Sequence, residues 1–173
     1  MDFQESKTKE ALFSTLSDIA VTAIYWNYCA EQAKKEGYPQ IAAIFETSAR
    51  HQLAHAERIF SFLGKVSSTK ENLCHAAAQC QEKWAQAYPS LAETAREEGF
   101  LGIAAFYRRM TDVKLAQENL FRTMAARIEG RTLYKDQTDT IWNCLRCGHV
   151  HHGAEPPLVC PLCHYERGYF IRQ

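Results

Sequence analysis

The sequence has no net charge: 20 basic and 20 acidic residues cancel. Such a chain creates no field to recruit nucleic acid or an anionic membrane, and its basic residues are dispersed rather than gathered into a stripe. A long uncharged apolar run is missing as well, so no membrane span is expected. The opening Met1-Asp2-Phe3-Gln4-Glu5 is polar and does not read as a signal peptide. From about residue 6 to 131 the β-branched runs that would signal strands are scarce. These absences leave a helical protein, and seven cysteines, four of them paired as CxxC, in a chain that does not open on a signal argue for a reducing interior, so a cytoplasmic location is expected. At 173 residues the chain can form one sizeable core and a small metal-held module.

Chemistry is densest near the end of the chain. Cys144-Leu145-Arg146-Cys147 is followed, after twelve intervening residues, by Cys160-Pro161-Leu162-Cys163. Two such pairs make two knuckles whose four thiolates converge on one tetrahedral metal. Soft sulfur in a four-thiolate set suits iron or zinc, and spacing alone does not choose between them. Gly148 stands where the first knuckle needs positive φ, and Pro161 stiffens the second. Cys29, Cys74 and Cys80 have no such assignment.

Upstream, apolar residues recur at helical spacing: Leu12, Leu16, Ile19 and Ala23, then Ile41, Ile44, Phe45, Ala49 and Leu53. Gly37-Tyr38-Pro39 separates the first helix from the second. Residues 64–68 end the second, and Ser68 or Thr69 can cap the third, with Glu71 placed for a capping box. Tyr88-Pro89-Ser90 reads as the break before a fourth helix, which runs to about Ile128 with a bend near Gly99. A repeat supports the count: Glu36-Gly37-Tyr38-x-x-Ile41-Ala42-Ala43 recurs as Glu98-Gly99-Phe100-x-x-Ile103-Ala104-Ala105. Four long helices built as a duplicated pair predict a bundle over residues 1–131. A polar linker over 132–141 and a small metal domain over 142–173 complete the division.

Trp142, the two cysteine pairs, Gly148, Gly153, Pro157 and the terminal aromatic Phe170 resemble the rubredoxin-type domain that ends rubrerythrins. With the duplicated Gly37 and Gly99 motifs, the resemblance covers almost the whole chain. It implies a ferritin-like four-helix bundle followed by a rubredoxin-like domain. It also implies that Cys144, Cys147, Cys160 and Cys163 hold one redox-active iron, with zinc the other candidate. His149 departs from the family, where an aromatic is usual, and the run His149-Val150-His151-His152 reads as a polar loop rather than spare ligands. In the family the rubredoxin iron passes electrons to a di-iron centre in the bundle, which reduces hydrogen peroxide in oxidative-stress defence.

The resemblance also says where the di-iron ligands should stand: a Glu on each of two helices, a Glu-x-x-His on each of the others, and one extra Glu on the third. Anchored on Gly37 and Gly99, those positions hold other residues. Ile19 replaces the first-helix Glu, and Gln52-x-x-His55 the second-helix pair. Cys80 and Lys83 stand at the two third-helix Glu positions, and Lys114-x-x-Gln117 at the fourth-helix pair. Only His55 remains. Iron needs anionic oxygen, and this set offers two ammonium groups, so no di-iron centre is expected. Asp18, Glu82 and Glu118 sit one residue from ligand positions, but one residue is about 100° around a helix.

Three readings of the altered pocket stand side by side: structural infill, with Lys83 and Lys114 reaching outward or pairing with acids such as Glu82 or Asp112; thiol chemistry at Cys80 beside Lys83; and a cationic cavity, bordered by His55, Gln52 and Gln117, that binds an anion or organic cofactor. His51 and His55, one turn apart, lack a third ligand, and His75 reads as exposed. Tyr25, Trp26, Tyr28, Phe45, Phe106 and Tyr107 follow helical spacing and read as core. Three functions follow: a one-electron carrier with an unidentified redox partner, an oxidoreductase with altered bundle chemistry, or a zinc-stapled structural protein. The joint between the second and third helices, about six residues, spans at most about 20 Å. A 25-residue helix is about 38 Å long. A ferritin-like crossover cannot be made by that joint alone, and a domain-swapped homodimer is expected.

Overall fold

The structure is a computed structural model that describes residues 2–136 and 139–173. It is mainly α-helical with a small three-stranded sheet at the C-terminal end, and it divides into two compact units, Met1–Ser67 and Ser68–Gln173. Linker positions 137 and 138 lie outside the described residues.

The first unit is a helical hairpin of α1 (Lys7–Lys35) and α2 (Pro39–Leu63). Ser6 caps α1 by accepting the Lys9 N–H at 3.2 Å, and Pro39 opens α2, where a missing N–H costs nothing. The turn between them is a Schellman motif: the Tyr38 N–H donates to the Ala33 carbonyl at 2.8 Å and the Gly37 N–H to Lys34 at 3.1 Å. Gly37 takes φ +83°, a conformation that costs an L side chain energy. The helices meet through small side chains, with Ala30, Ala33 and Ala42 buried together and Phe45 packed against them.

The second unit repeats this build. Its first helical run comprises α3 (Thr69–Glu82), a π-helical turn (Lys83–Ala87) and α4 (Tyr88–Glu97), and it packs against α5 (Leu101–Glu129). The expected capping box is present, with Ser68 Oγ accepting the Glu71 N–H and Glu71 Oε2 accepting the Ser68 N–H. The Gly99 turn reproduces the Gly37 turn: the Phe100 N–H donates to Ala95 at 2.8 Å and the Gly99 N–H to Arg96 at 3.1 Å, with φ +85° at Gly99. Buried Ala30, Ala33 and Ala42 recur as buried Ala92, Ala95 and Ala104, the same 62-residue offset as the sequence repeat.

The expected break at Tyr88-Pro89-Ser90 is not a break. In an α-helix the Ala85 carbonyl would await an N–H that Pro89 lacks. Here the chain widens by one residue just upstream, the Tyr88 N–H donates to the Lys83 carbonyl, and Tyr88 keeps helical φ and ψ of −72° and −38°. The helix therefore runs on to Gly99, where the true turn lies. A second expectation also needs correcting. Of the apolar stripe read on α2, Phe45 and Ala49 turn inward, but Ile41, Ile44 and Leu53 are exposed. The hairpin closes through alanines, so the larger neighbours a step around the helix stay outside. For the same reason Tyr25, Tyr28 and Phe106, read as core, are exposed, whereas Trp26, Phe45 and Tyr107 are partly buried.

After α5 a third turn of the same kind places Arg131 at φ +54°. The C-terminal sheet has order β2-β1-β3, all antiparallel, from β1 (Thr140–Cys144), β2 (Val150–Gly153) and β3 (Phe170–Arg172). His151 and His152 lie in β2 opposite Trp142 and Ile141, so the histidine run expected as a loop is largely a strand. Lys135 and Asp136 are tied to the sheet: the Arg172 guanidinium donates to the Lys135 carbonyl at 2.8 Å and pairs with Asp136 at 2.7 Å.

Candidate functional site

Each cysteine pair sits in a tight turn closed by backbone hydrogen bonds. The Gly148 N–H donates to the Cys144 carbonyl at 2.8 Å, and the His164 N–H to the Cys160 carbonyl at 2.9 Å. Both turns require positive φ after the second cysteine, +74° at Gly148 and +58° at His164. Beneath them a small core of Trp142, Cys144, Cys160 and Phe170 is buried, with Tyr134 packed against it. The Trp142 indole N–H donates to the Gly153 carbonyl at 2.9 Å, which keeps its polar edge satisfied inside that core. His149 stands with its ring edge-on to Phe170, 6.4 Å between centroids, so it fills an aromatic's place in the packing.

The four Sγ atoms all lie within 4.8 Å of one another. Cys144 and Cys163 are 3.8 Å apart, and Cys147 and Cys160 3.6 Å. A tetrahedral ion with metal–sulfur bonds near 2.3 Å requires sulfur–sulfur edges of about 3.8 Å, so the residues present fit a four-thiolate metal. The same crowding makes four free thiolates untenable. Cys160 is drawn down to about 7: desolvation opposes its ionisation, but the N–H groups of Cys163 and Leu162 and the thiols of Cys163 and Cys147 outweigh it. Cys147 is pushed up to about 12: the His149 N–H favours its thiolate, but desolvation and the sulfurs of Cys163, Cys144 and Cys160 prevail. Only a bound cation lets all four ionise together. Among the described residues no other cluster of three or more His, Cys, Asp or Glu side chains has metal-binding geometry.

The positions read as former di-iron ligands fall in both units. Ile19, Gln52 and His55 belong to the first, where Ile19 and Gln52 are half-buried and His55 and its neighbour His51 are exposed. Cys80, Lys83, Lys114 and Gln117 line one cleft of the second unit. There Lys114 Nζ donates to Gln117 Oε1 at 2.8 Å, and the buried Cys80 thiol lies 3.9 Å from the same oxygen. Lys83 Nζ pairs with Glu82 at 2.9 Å rather than with Cys80, and that carboxylate raises its pKa.

The three offset carboxylates stand in different surroundings. Asp18 and Glu82 are exposed, and Glu82 is engaged by Lys83. Glu118 is 6% exposed, yet it is fully engaged: it accepts the Trp84 indole N–H and the Arg122 Nε–H, the latter at 2.7 Å. Those donors, the indole first, hold its carboxyl below the usual range. Arg122 reaches on to Gln81 at 3.1 Å. This network joins α5 to the helix carrying Cys80. The i, i+4 spacing of Glu118 and Arg122 was its only local sequence signal.

Residues 22–129 match the rubrerythrin family, and residues 142–171 match the rubrerythrin rubredoxin-like domain. Rubrerythrin of Porphyromonas gingivalis is 35% identical over 178 residues, spanning 95% of this chain and 89% of the relative. The chain belongs to the rubrerythrin family. Rubrerythrin-1 of Clostridium acetobutylicum is 32% identical, spanning 95% of this chain and 93% of the relative. Nigerythrin in a mixed-valence state aligns over 97% of this chain and 87% of its own, at 22% identity and a TM-score of 0.38. This member is therefore a rubrerythrin-family redox protein with a four-cysteine rubredoxin-like site. No described helix is long and apolar enough to cross a membrane.

Proposed function

We propose that this rubrerythrin-family protein is a one-electron carrier, with iron held by Cys144, Cys147, Cys160 and Cys163 and no di-iron centre in its bundle. The observation that carries this reading is a contrast. The four sulfurs stand at tetrahedral spacing, while Cys80, Lys83, Lys114 and Gln117 share a cleft with no free carboxylate. Iron in a four-thiolate set supplies reversible one-electron exchange. The chain's own residues do the rest. Amide N–H groups of Leu162, Cys163 and His149 point at sulfur and stabilise its negative charge. Trp142 and Phe170 keep water from the inner side of Cys144 and Cys160. Cys147 and Cys163 stay partly exposed on the outer side, beside Leu145 and Leu162, each 64% exposed. That edge is where a redox partner would exchange electrons.

The bundle positions Ile19, Gln52, His55, Cys80, Lys83, Lys114 and Gln117 are read as a substituted ligand set, so peroxide turnover should be feeble or absent. Thiol chemistry at Cys80 draws no support from Lys83, whose ammonium is held by Glu82. The homodimer with exchanged helices belongs to the same reading. Residues 64–68 join α2 to α3, too short for a crossover along a 25-residue helix. Large apolar side chains stay exposed on both units, among them Tyr28 at 72%, Ile44 at 62%, Ile103 and Phe106. A second copy is a fitting cover for them.

Redox titration of purified, iron-loaded protein tests the proposal. One reversible electron per chain, with no peroxide consumption above that of a Cys160→Ser variant, is expected. Two or more further electrons per chain, or peroxide turnover that survives loss of the four-cysteine iron, would refute it.

A further inference from the structure

From Thr140 onward the chain carries three arginines, and two of them have carboxylate partners: Arg167 pairs with Glu155 at 3.4 Å and Arg172 with Asp136 at 2.7 Å. The third, Arg146, stands inside the first knuckle, between Cys144 and Cys147, and forms no ion pair among the described residues. Its guanidinium lies instead over the ring of Tyr165, 3.5 Å from the centroid. Tyr165 belongs to the second knuckle, where its carbonyl accepts the Cys160 N–H at 2.8 Å. The same ring meets Tyr169 edge-on at 4.8 Å, and the Tyr169 carbonyl accepts the Leu145 N–H at 2.8 Å, back in the first knuckle. One cation and two aromatic rings thus tie one cysteine turn to the other. All of these contacts lie within the four-cysteine domain.

An exposed arginine without a partner would ordinarily sample many rotamers in water, and stacking on an aromatic face restricts it. The kind of partner matters here. A carboxylate would cancel most of the field of the guanidinium, whereas a neutral ring fixes its position and leaves its charge intact. The charge of arginine is also insensitive to pH in the physiological range. Iron held by four thiolates is already negative when ferric, and taking one electron from a redox partner adds one more negative charge with no proton required. A cation fixed beside the sulfurs therefore stabilises the reduced site more than the oxidised one. We propose that Arg146 sets the reduction potential of the four-cysteine iron, raising it by favouring the reduced form, and that Tyr165 is the positioning residue that holds the guanidinium in place. The proposal rests on the reading that this site carries iron and exchanges one electron.

Spectroelectrochemical titration of the full-length, iron-loaded protein tests it, with iron content and visible spectrum checked for every variant. Arg146→Met keeps an unbranched stem and loses the charge. It should lower the equilibrium constant for reduction about three- to tenfold, a fall of about 30–60 mV at 59 mV per tenfold for one electron. Arg146→Lys keeps a cation in the same knuckle and should stay within about twofold of wild type. Tyr165→Leu keeps the arginine but releases its guanidinium to water, and should fall between the wild type and Arg146→Met. A purely structural role would weaken metal retention in Arg146→Met and Tyr165→Leu and leave both potentials within about twofold of wild type; that result would overturn the proposal. So would an Arg146→Lys potential as low as that of Arg146→Met. Iron-loaded wild type without one reversible electron per chain defeats the electron-carrier reading and the proposal with it, whereas a reversible electron whose potential ignores Arg146→Met defeats the proposal alone.

Discussion

Trp142 offers the sharpest test of how the chain holds its metal. The side chain is 1% exposed, packs against two of the four cysteines and Phe170, and donates its only polar hydrogen to the Gly153 carbonyl. Replacing it by Phe keeps most of the apolar volume but removes that donor and leaves a half-buried carbonyl without its indole partner. A half-buried group left unsatisfied costs about 1–2 kcal/mol, the lower part of the range for buried groups, and the smaller ring adds about 1 kcal/mol of lost burial. A total of about 2–3 kcal/mol falls on a domain of about thirty residues, too small to fold on its apolar core alone. Folding and metal binding are then one equilibrium, so the loss appears as weakened metal retention, roughly 30- to 150-fold. The assay is competition with a chelator of known affinity, followed by loss of the thiolate-to-metal absorption, while helix content is tracked by far-ultraviolet circular dichroism. Retention within threefold of wild type would refute the idea that this aromatic core sets the two knuckles at their spacing.

Three further outcomes follow from the fold. Ser68→Ala removes the side-chain acceptor of the capping box at the start of α3 and should cost about 1 kcal/mol in urea denaturation. Gly37→Ala and Gly99→Ala force a side chain into φ +83° and +85°, and each should cost about 1–2 kcal/mol, equally, because the two turns share one set of hydrogen bonds. Glu118 is held below its ordinary pKa by Trp84 and Arg122, so the folded state resists protonation more than the unfolded one. Its contribution is therefore fully present above the unfolded value near 4.3 and fades as pH falls through the lower folded value. Thermal melts of wild type between pH 6 and 3 should show this loss, and Glu118→Gln should flatten it.

What could be read from sequence followed the range of the interactions involved. Both knuckles were legible from their cysteine pairs, but only the first announced its positive φ, at Gly148; the matching position of the second, His164, carries no such mark. The Gly37 motif located the first hairpin turn, but its repeat at Gly99 was read only as a bend, because Pro89 drew attention to a break that a π-helical turn absorbs a few residues before the real one. Periodicity identified helices correctly and misjudged which face is buried. It weights Ile and Leu over Ala, while these hairpins close through alanines. The histidines of β2 read as a loop because their polarity hides a strand whose pairing depends on β1. Glu118 with Trp84 was out of reach, since its two halves lie 34 residues apart and meet only when the helices pack.

The most direct test of the account is metal content per chain, measured by elemental analysis on protein purified without oxygen, together with its visible spectrum. One iron per chain with thiolate-to-iron charge-transfer bands is the predicted result. About three metals per chain, or a second pool of iron released separately from the four-cysteine site, would contradict it, and one colourless zinc would replace the electron carrier with a structural module.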